Sequence, residues 1–154
     1  MKITLLKIKK AKGNKKYTAE LEIEKDGIED IKTRSFGYVN PDDLNNDYTR
    51  HKDKERRNRY IIRSKSHLKT GDPTRAGFLS MFLLWNKPTL KSSVEDYNQR
   101  LKIYNKTGTF PTEDLIEEAK KELVEAKEKK KELAEAKDKK EKLDKKEKMK
   151  VTFE

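Results

Sequence analysis

Tyr17-Thr18-Ala19-Glu20-Leu21-Glu22-Ile23-Glu24 sets an apolar or aromatic residue at each odd position and a polar one at each even position. A period of two sends the two sets to opposite faces of a strand, one toward a core and the other toward water. The flanks supply the turns that such a strand needs. Lys12-Gly13-Asn14-Lys15 precedes it, and Lys25-Asp26-Gly27 follows it; Asp-Gly is a strong hairpin sequence. Upstream, Ile3 and Leu5 alternate, but Leu6 and Ile8 continue in the opposite phase, so a bulge is expected near Leu5-Leu6. Downstream, Ile28 to Phe36 is expected to be a third strand. Residues 2–36 therefore predict an antiparallel β-meander.

Beyond the meander the period changes. Residues 37–46, with Pro41 and several Asn and Asp, predict a loop. Asp47 or Thr49 can cap a helix from about Arg50 to Ser66. The first turns of that helix are almost all charged and are expected in solvent or against a charged partner. Gly71-Asp72-Pro73 breaks the chain, and Thr74 begins an apolar helix from Arg75 to Trp85. Pro88 stops it by forcing the preceding residue out of helical geometry. Thr89 then caps a helix in which Leu90, Val94, Tyr97 and Leu101 form one stripe. Tyr17, Leu21, Ile23, Phe78, Phe82, Trp85, Leu90 and Tyr97 are the expected core.

From Pro111 onward the chain is built of Lys, Glu, Ala and Leu. Glu113, Asp114, Glu117 and Glu118 place negative charge at a helix N-terminus after Thr112, where the backbone dipole favours it. Acid-to-Lys pairs such as Glu125/Lys129 and Asp138/Lys142 each add roughly 0.2–0.5 kcal/mol to a helix. A helix over about 112–149 would be roughly 57 Å long at 1.5 Å per residue. Its apolar seam (Ile116, Ala119, Leu123, Ala126, Leu133) gives way to Lys130 and Lys140, so no sustained coiled coil is expected. Its start should dock on the domain or a partner and the remainder should project; a partly frayed, solvated tail is the alternative. The expected fold is α+β: a small antiparallel meander, a three-helix segment and a long charged C-terminal helix. The expected division is 1–104 as a basic domain, 105–111 as a linker, and 112–154 as the helix with a short tail.

The chain has 154 residues, of which 32% are hydrophobic and 44% charged. Residues 111–154 hold 14 Lys and 14 acidic residues, so the net charge of +11 lies wholly in the first 110. Arg50 to Lys69 alone carries nine Lys or Arg and two acids. Such a surface attracts polyanions: nucleic acid, an anionic membrane, or an acidic protein face. There is no cysteine, which excludes disulfides, thiolate zinc sites and thiol nucleophiles and fits a reducing compartment. The N-terminal apolar stretch is too short for a signal peptide, and the run from Ala76 to Trp85 is far below the ~20 residues that span a bilayer.

No constellation points to catalysis. His51 and His67 are too far apart in sequence to form the i, i+4 pair of a helical zinc site. No Gly-rich phosphate loop is present. Asp42, Asp43 and Asp47 read as loop and capping residues. No catalytic residue, metal or cofactor is expected. The candidate partner-binding residues are Arg50, His51, Lys52, Arg56, Arg57, Arg59 and Arg63. They could neutralise phosphates without regard to sequence, with Tyr48 and Tyr60 adding stacking, or pair with carboxylates of another protein. Asp53/Arg57 and Glu55/Arg59 could instead satisfy one another along the helix, leaving a solvated face.

Asp47-Tyr48-Thr49-Arg50-His51-Lys52-Asp53, Glu55-Arg56, Arg59-Tyr60-Ile61, Ala76-Gly77-Phe78, Leu84-Trp85-Asn86-Lys87-Pro88-Thr89-Leu90 and Asp96-Tyr97-Asn98 together resemble a family of short proteins encoded by large nucleocytoplasmic DNA viruses of algae and protists. The likeness spans a little under half the chain, and the Lys/Glu helix lies outside it. Ser64 stands where the family pattern has His. The resemblance carries no activity and transfers no catalytic residue. It implies an origin in an icosahedral DNA virus. From that origin follows the expectation of a non-enzymatic minor capsid or scaffold protein, on the inner side of the capsid and in host cytoplasm during assembly. Its partners would be acidic surfaces of other capsid proteins. The alternative is a sequence-nonspecific nucleic-acid-binding protein packaged in the virion.

Overall fold

The computed structural model describes the backbone of residues 1–152 and the side chains of residues 1–148. Three antiparallel strands, β1 (Lys2–Lys10), β2 (Lys15–Lys25) and β3 (Ile28–Tyr38), form a meander in the order β1-β2-β3. The expected bulge is present: the pairing shifts between Leu5 and Lys7, and Leu6 turns outward. Asp26 and Gly27 close the second hairpin with φ of 55° and 77°, the left-handed pair that matches strand twist. Ile3, Ala19, Leu21 and Phe36 make the buried face. Opposite it, Thr18 and Ser35 pair their hydroxyls at 2.9 Å in water.

The region expected as one helix from Arg50 to Ser66 is two. α1 (Tyr48–His51) is capped by Asp47, and α2 (Lys54–Ser64) by Asp53. Lys52 between them takes φ 56°. Asp53 accepts the amides of Glu55 and Arg56 (3.0 and 3.2 Å), and its own amide donates to His51 Nδ1 (2.9 Å). A side chain so placed competes with the helical ladder and restarts it. The apolar helix likewise departs from a uniform α form. α3 (Ala76–Leu79) widens into a π turn over Ser80–Leu84, and Phe78 through Leu84 are buried except Ser80. Leu21, Phe78, Phe82 and Tyr97 are core residues as expected, while Tyr17, Ile23, Trp85 and Leu90 pack half-buried at its edge.

α4 (Leu90–Thr107) starts at its Thr89 cap and runs three residues past 104. The segment expected as a linker is exposed from Lys106 to Thr109 and anchored at both ends, by Asn105 and Phe110. Asn105 accepts the Ile3 amide (2.8 Å) and donates to its carbonyl (2.9 Å), standing in for a missing strand on the free edge of β1. Phe110 inserts edge-on between Phe78 and Phe82, with ring centroids at 5.5 and 5.0 Å. A single aromatic among polar neighbours carries no periodicity, so its destination could not be read from spacing.

α5 (Glu113–Thr152) buries Leu115, Ile116 and Ala119 against this body. Arg100 on α4 grips its first turn: it pairs with both carboxylate oxygens of Asp114 (2.7 and 2.8 Å), the Pro111 carbonyl (2.8 Å) and Asp96 (2.8 Å). The Arg100 hydrogen bonds hold the Asp114 carboxyl below its ordinary pKa. Every side chain from Lys131 to Lys148 is exposed, so about 27 Å of helix extends beyond the packed part. No helix among the described residues is long and apolar enough to cross a membrane.

The deepest charge in the α2–α5 interface is Arg57, 1% exposed. Its Nε donates to the carbonyls of Trp85 and Asn86 (3.2 and 3.0 Å), and its Nη1 to Asn58 Oδ1 and Glu118 (2.8 and 3.2 Å). Asn58 continues the chain to Glu122 (2.7 Å), and Lys54 reaches Glu118 (3.0 Å). Burial works to raise the Glu118 pKa, but the Lys54 hydrogen bond and the Arg57 charge outweigh it and the net shift is downward. Breaking such a group from one side leaves buried carbonyls unpaired. Arg57→Ala is expected to lower the unfolding free energy by about 3 kcal/mol. Arg59→Ala, on the other face of α2, should change it by under about 0.5 kcal/mol. Urea unfolding of both variants checks this; equal losses would contradict the assignment.

Candidate functional site

α2 has two faces, each at helical spacing. Lys54, Arg57, Asn58 and Ile61 turn toward α5 and the core. Arg56, Arg59, Tyr60 and Arg63 line a cavity of about 1040 Å³ between α2 and the sheet. From the sheet, Lys15, Lys16, Arg34 and Tyr38 enter the same cavity; from the helices beyond α2 come His67, Arg75 and Trp85. Seven Lys or Arg residues face one carboxylate, Asp47.

Two glycines let the walls meet. Gly37 has φ 80°, and a Cβ there would lie 2.7 Å from Leu84 Cδ1; its amide donates to Ser80 Oγ at 3.2 Å. A Cβ on Gly77 would lie 2.7 Å from the His67 Cβ. A larger residue at Gly77 would push the 3₁₀ segment Lys65–Thr70 away from α3, and one at Gly37 would have to hold a positive φ and displace the end of the Leu84 side chain.

The cations differ in what already holds them. Lys16 is paired with Asp47, and the two are nearly buried. Arg56 lies 3.4 Å from Asp43, Arg59 2.8 Å from Glu55 and Arg75 3.5 Å from Asp72. Glu55 is shared with Lys130 of α5 at 2.7 Å, a hydrogen bond that lowers its carboxyl pKa. Among the described residues Lys15, Arg34 and Arg63 have no carboxylate partner. Arg34 Nε is shielded from water with no protein acceptor, and Arg63 lies over the Tyr60 ring at 6.0 Å. Gathering unpaired cations in a concave, half-dry space raises the local potential and makes it receptive to anions.

Tyr60 and Trp85 stack at 4.1 Å with their planes 7° apart, and His51 meets the Trp85 edge at 5.3 Å. Burial raises the Tyr60 pKa. Burial, aided by the Arg56 charge, lowers that of His51, whose Nδ1 accepts the Asp53 amide. Tyr38 is 59% exposed.

Of the seven residues singled out from sequence, Arg56, Arg59 and Arg63 share this cavity. Arg50 is exposed and lines a smaller neighbouring one with Lys10. Lys52 is tethered to the Pro88 carbonyl at 2.6 Å. Arg57 is buried and spent within the fold, so its expected place on the outer surface is corrected: its guanidinium binds this chain's own carbonyls and Glu118. Sequence reasoning missed Lys15, Lys16, Arg34 and Arg75. For Arg34 a trace existed in the register. Arg34 pairs with Ala19 and Phe36 with Tyr17, so Arg34 occupies the inner face of β3 although it is charged. An inward cation on an edge strand is unusual enough to flag.

Groups of three or more His, Asp or Glu able to hold a metal ion do not occur among the described residues. Comparison with protein-family models, with curated proteins and with solved structures found no match for this chain.

Proposed function

We propose that the protein is a non-enzymatic, sequence-nonspecific nucleic-acid-binding protein that grips phosphodiester backbone in the cleft between α2 and the sheet. The observation that carries this reading is the set of cations on both walls that have no carboxylate partner among the described residues, Lys15 and Arg34 on one side and Arg63 on the other. Phosphates would replace the ordered water or counterions around these groups, and the released ions would drive binding. Arg59 and Arg75 are held by partly exposed carboxylates and can be shared with a ligand. With the viral resemblance described above, the place of action would be a virus particle, where nucleic acid is the most concentrated polyanion.

The second reading is a minor capsid or scaffold component that links neighbouring capsid proteins through their acidic surfaces. The projecting part of α5 favours it, because Leu133 and Leu143 stand 71% and 61% exposed on a helix with nothing of its own fold to cover them. In that case the cleft holds an acidic segment and the helix bridges to the next molecule.

Affinity for unrelated oligonucleotides should be equal at one salt concentration and should fall linearly on a log–log plot against salt. The slope is roughly −0.7 to −0.9 per phosphate contact, and the Arg34→Ala/Arg63→Ala double variant should flatten it by about two contacts. No binding at low salt, or an unchanged slope in the variant, would remove this function. The capsid reading predicts the protein in purified virus particles at fixed stoichiometry to the capsid shell, even in particles emptied of genome. Its loss with the genome would instead support the nucleic-acid reading, and its absence from particles would end both viral placements.

A further inference from the structure

We infer that the cleft selects single-stranded over duplex nucleic acid, with Tyr38 as the platform on which a base stacks; this rests on the nucleic-acid reading above. Three observations point the same way. First, cations stand on opposing walls, with Lys15 and Arg34 on the sheet and Arg63 on α2. A ligand between them must carry charge on both sides at close quarters. A single strand can thread such a space, whereas a duplex keeps its phosphates on a wide convex surface and its base faces buried. It would touch one rim at a time.

Second, aromatic rings sit among these cations. Tyr38 lines the cavity and is 59% exposed, outside the core cluster, so its ring is not held there by packing in the fold. Alternating cationic groups and open rings is the pattern that binds unpaired bases, because every base has a π face and only a single strand presents it. Tyr60 and Trp85 are stacked on each other and form the floor of the wall, leaving Tyr38 as the open ring. Third, a volume of about 1040 Å³ lies just above the range of small-ligand pockets, which leaves room for more than one nucleotide.

Trp85 is the single tryptophan and lines the cleft, so its emission reports occupancy directly. The full-length protein should be titrated with an oligothymidylate strand, a hairpin duplex of equal phosphate number, and polyglutamate. The oligothymidylate should quench Trp85 saturably and bind at least about tenfold tighter than the duplex. Tyr38→Ala should weaken the single strand about tenfold, Tyr38→Phe should restore it, and neither should alter duplex affinity. Because Tyr38 is largely exposed, these variants should unfold at the same urea concentration as the parent. Equal or tighter duplex binding, or an unaffected Tyr38→Ala variant, overturns the inference and leaves the nucleic-acid reading standing. Quenching by polyglutamate with no binding of either nucleic acid overturns both.

Discussion

Arg57 is a charge removed from water in a protein whose other cations mostly remain in it. Taking a guanidinium to 1% exposure is tolerable only where fixed acceptors surround it, and here they come from two directions. The carbonyls of Trp85 and Asn86 end the apolar helix, and Glu118 opens α5. One side chain therefore fixes how α2 sits on both elements. Once the stripe of Lys54, Arg57, Asn58 and Ile61 points inward, helical geometry turns Arg56, Arg59 and Arg63 toward the sheet, with Tyr60 at the border between the two faces. The cleft is the consequence of that single orientation.

The same constraint explains the charge layout. The acids that begin α5 meet cations of the body: Asp114 takes Arg100, Glu118 takes Arg57 and Lys54, and Glu122 takes Asn58 and Lys54. α5 thus neutralises the body on one flank and leaves the other flank basic. In a chain whose net charge is +11, the cleft gathers seven Lys or Arg residues against one lining carboxylate. Beyond Lys130, which closes onto Glu55, every side chain from Lys131 to Glu147 is exposed.

Much of this was legible in the residues. The period-two run at 17–24, the two turns, the bulge near Leu5-Leu6 and the Thr89 cap rest on local chemistry and occur as expected, and of the two caps open for the next helix, Asp47 and Thr49, the structure uses Asp47. The docked start and solvated remainder of α5 followed from where its apolar seam ends. The break at Lys52 was not legible, because Asp53 is equally suited to pair with Arg57 along one helix or to cap a new one. Only the tertiary demand for Arg57 inside decides between them. Nor could periodicity assign the faces of α2, since both begin with charged residues and Tyr60 lies at the border between them. Phe110 was hidden for a related reason, because long-range contacts in an aromatic cluster place it.

Arginine-selective modification with a dicarbonyl reagent, read residue by residue by mass spectrometry with and without a polyanion, tests the division of α2 most directly. The account predicts that Arg59 and Arg63 react in the free protein and are shielded when a polyanion is bound, while Arg57 stays unmodified throughout. Modification of Arg57 as fast as Arg63, or a bound polyanion that shields neither cleft arginine, would contradict it.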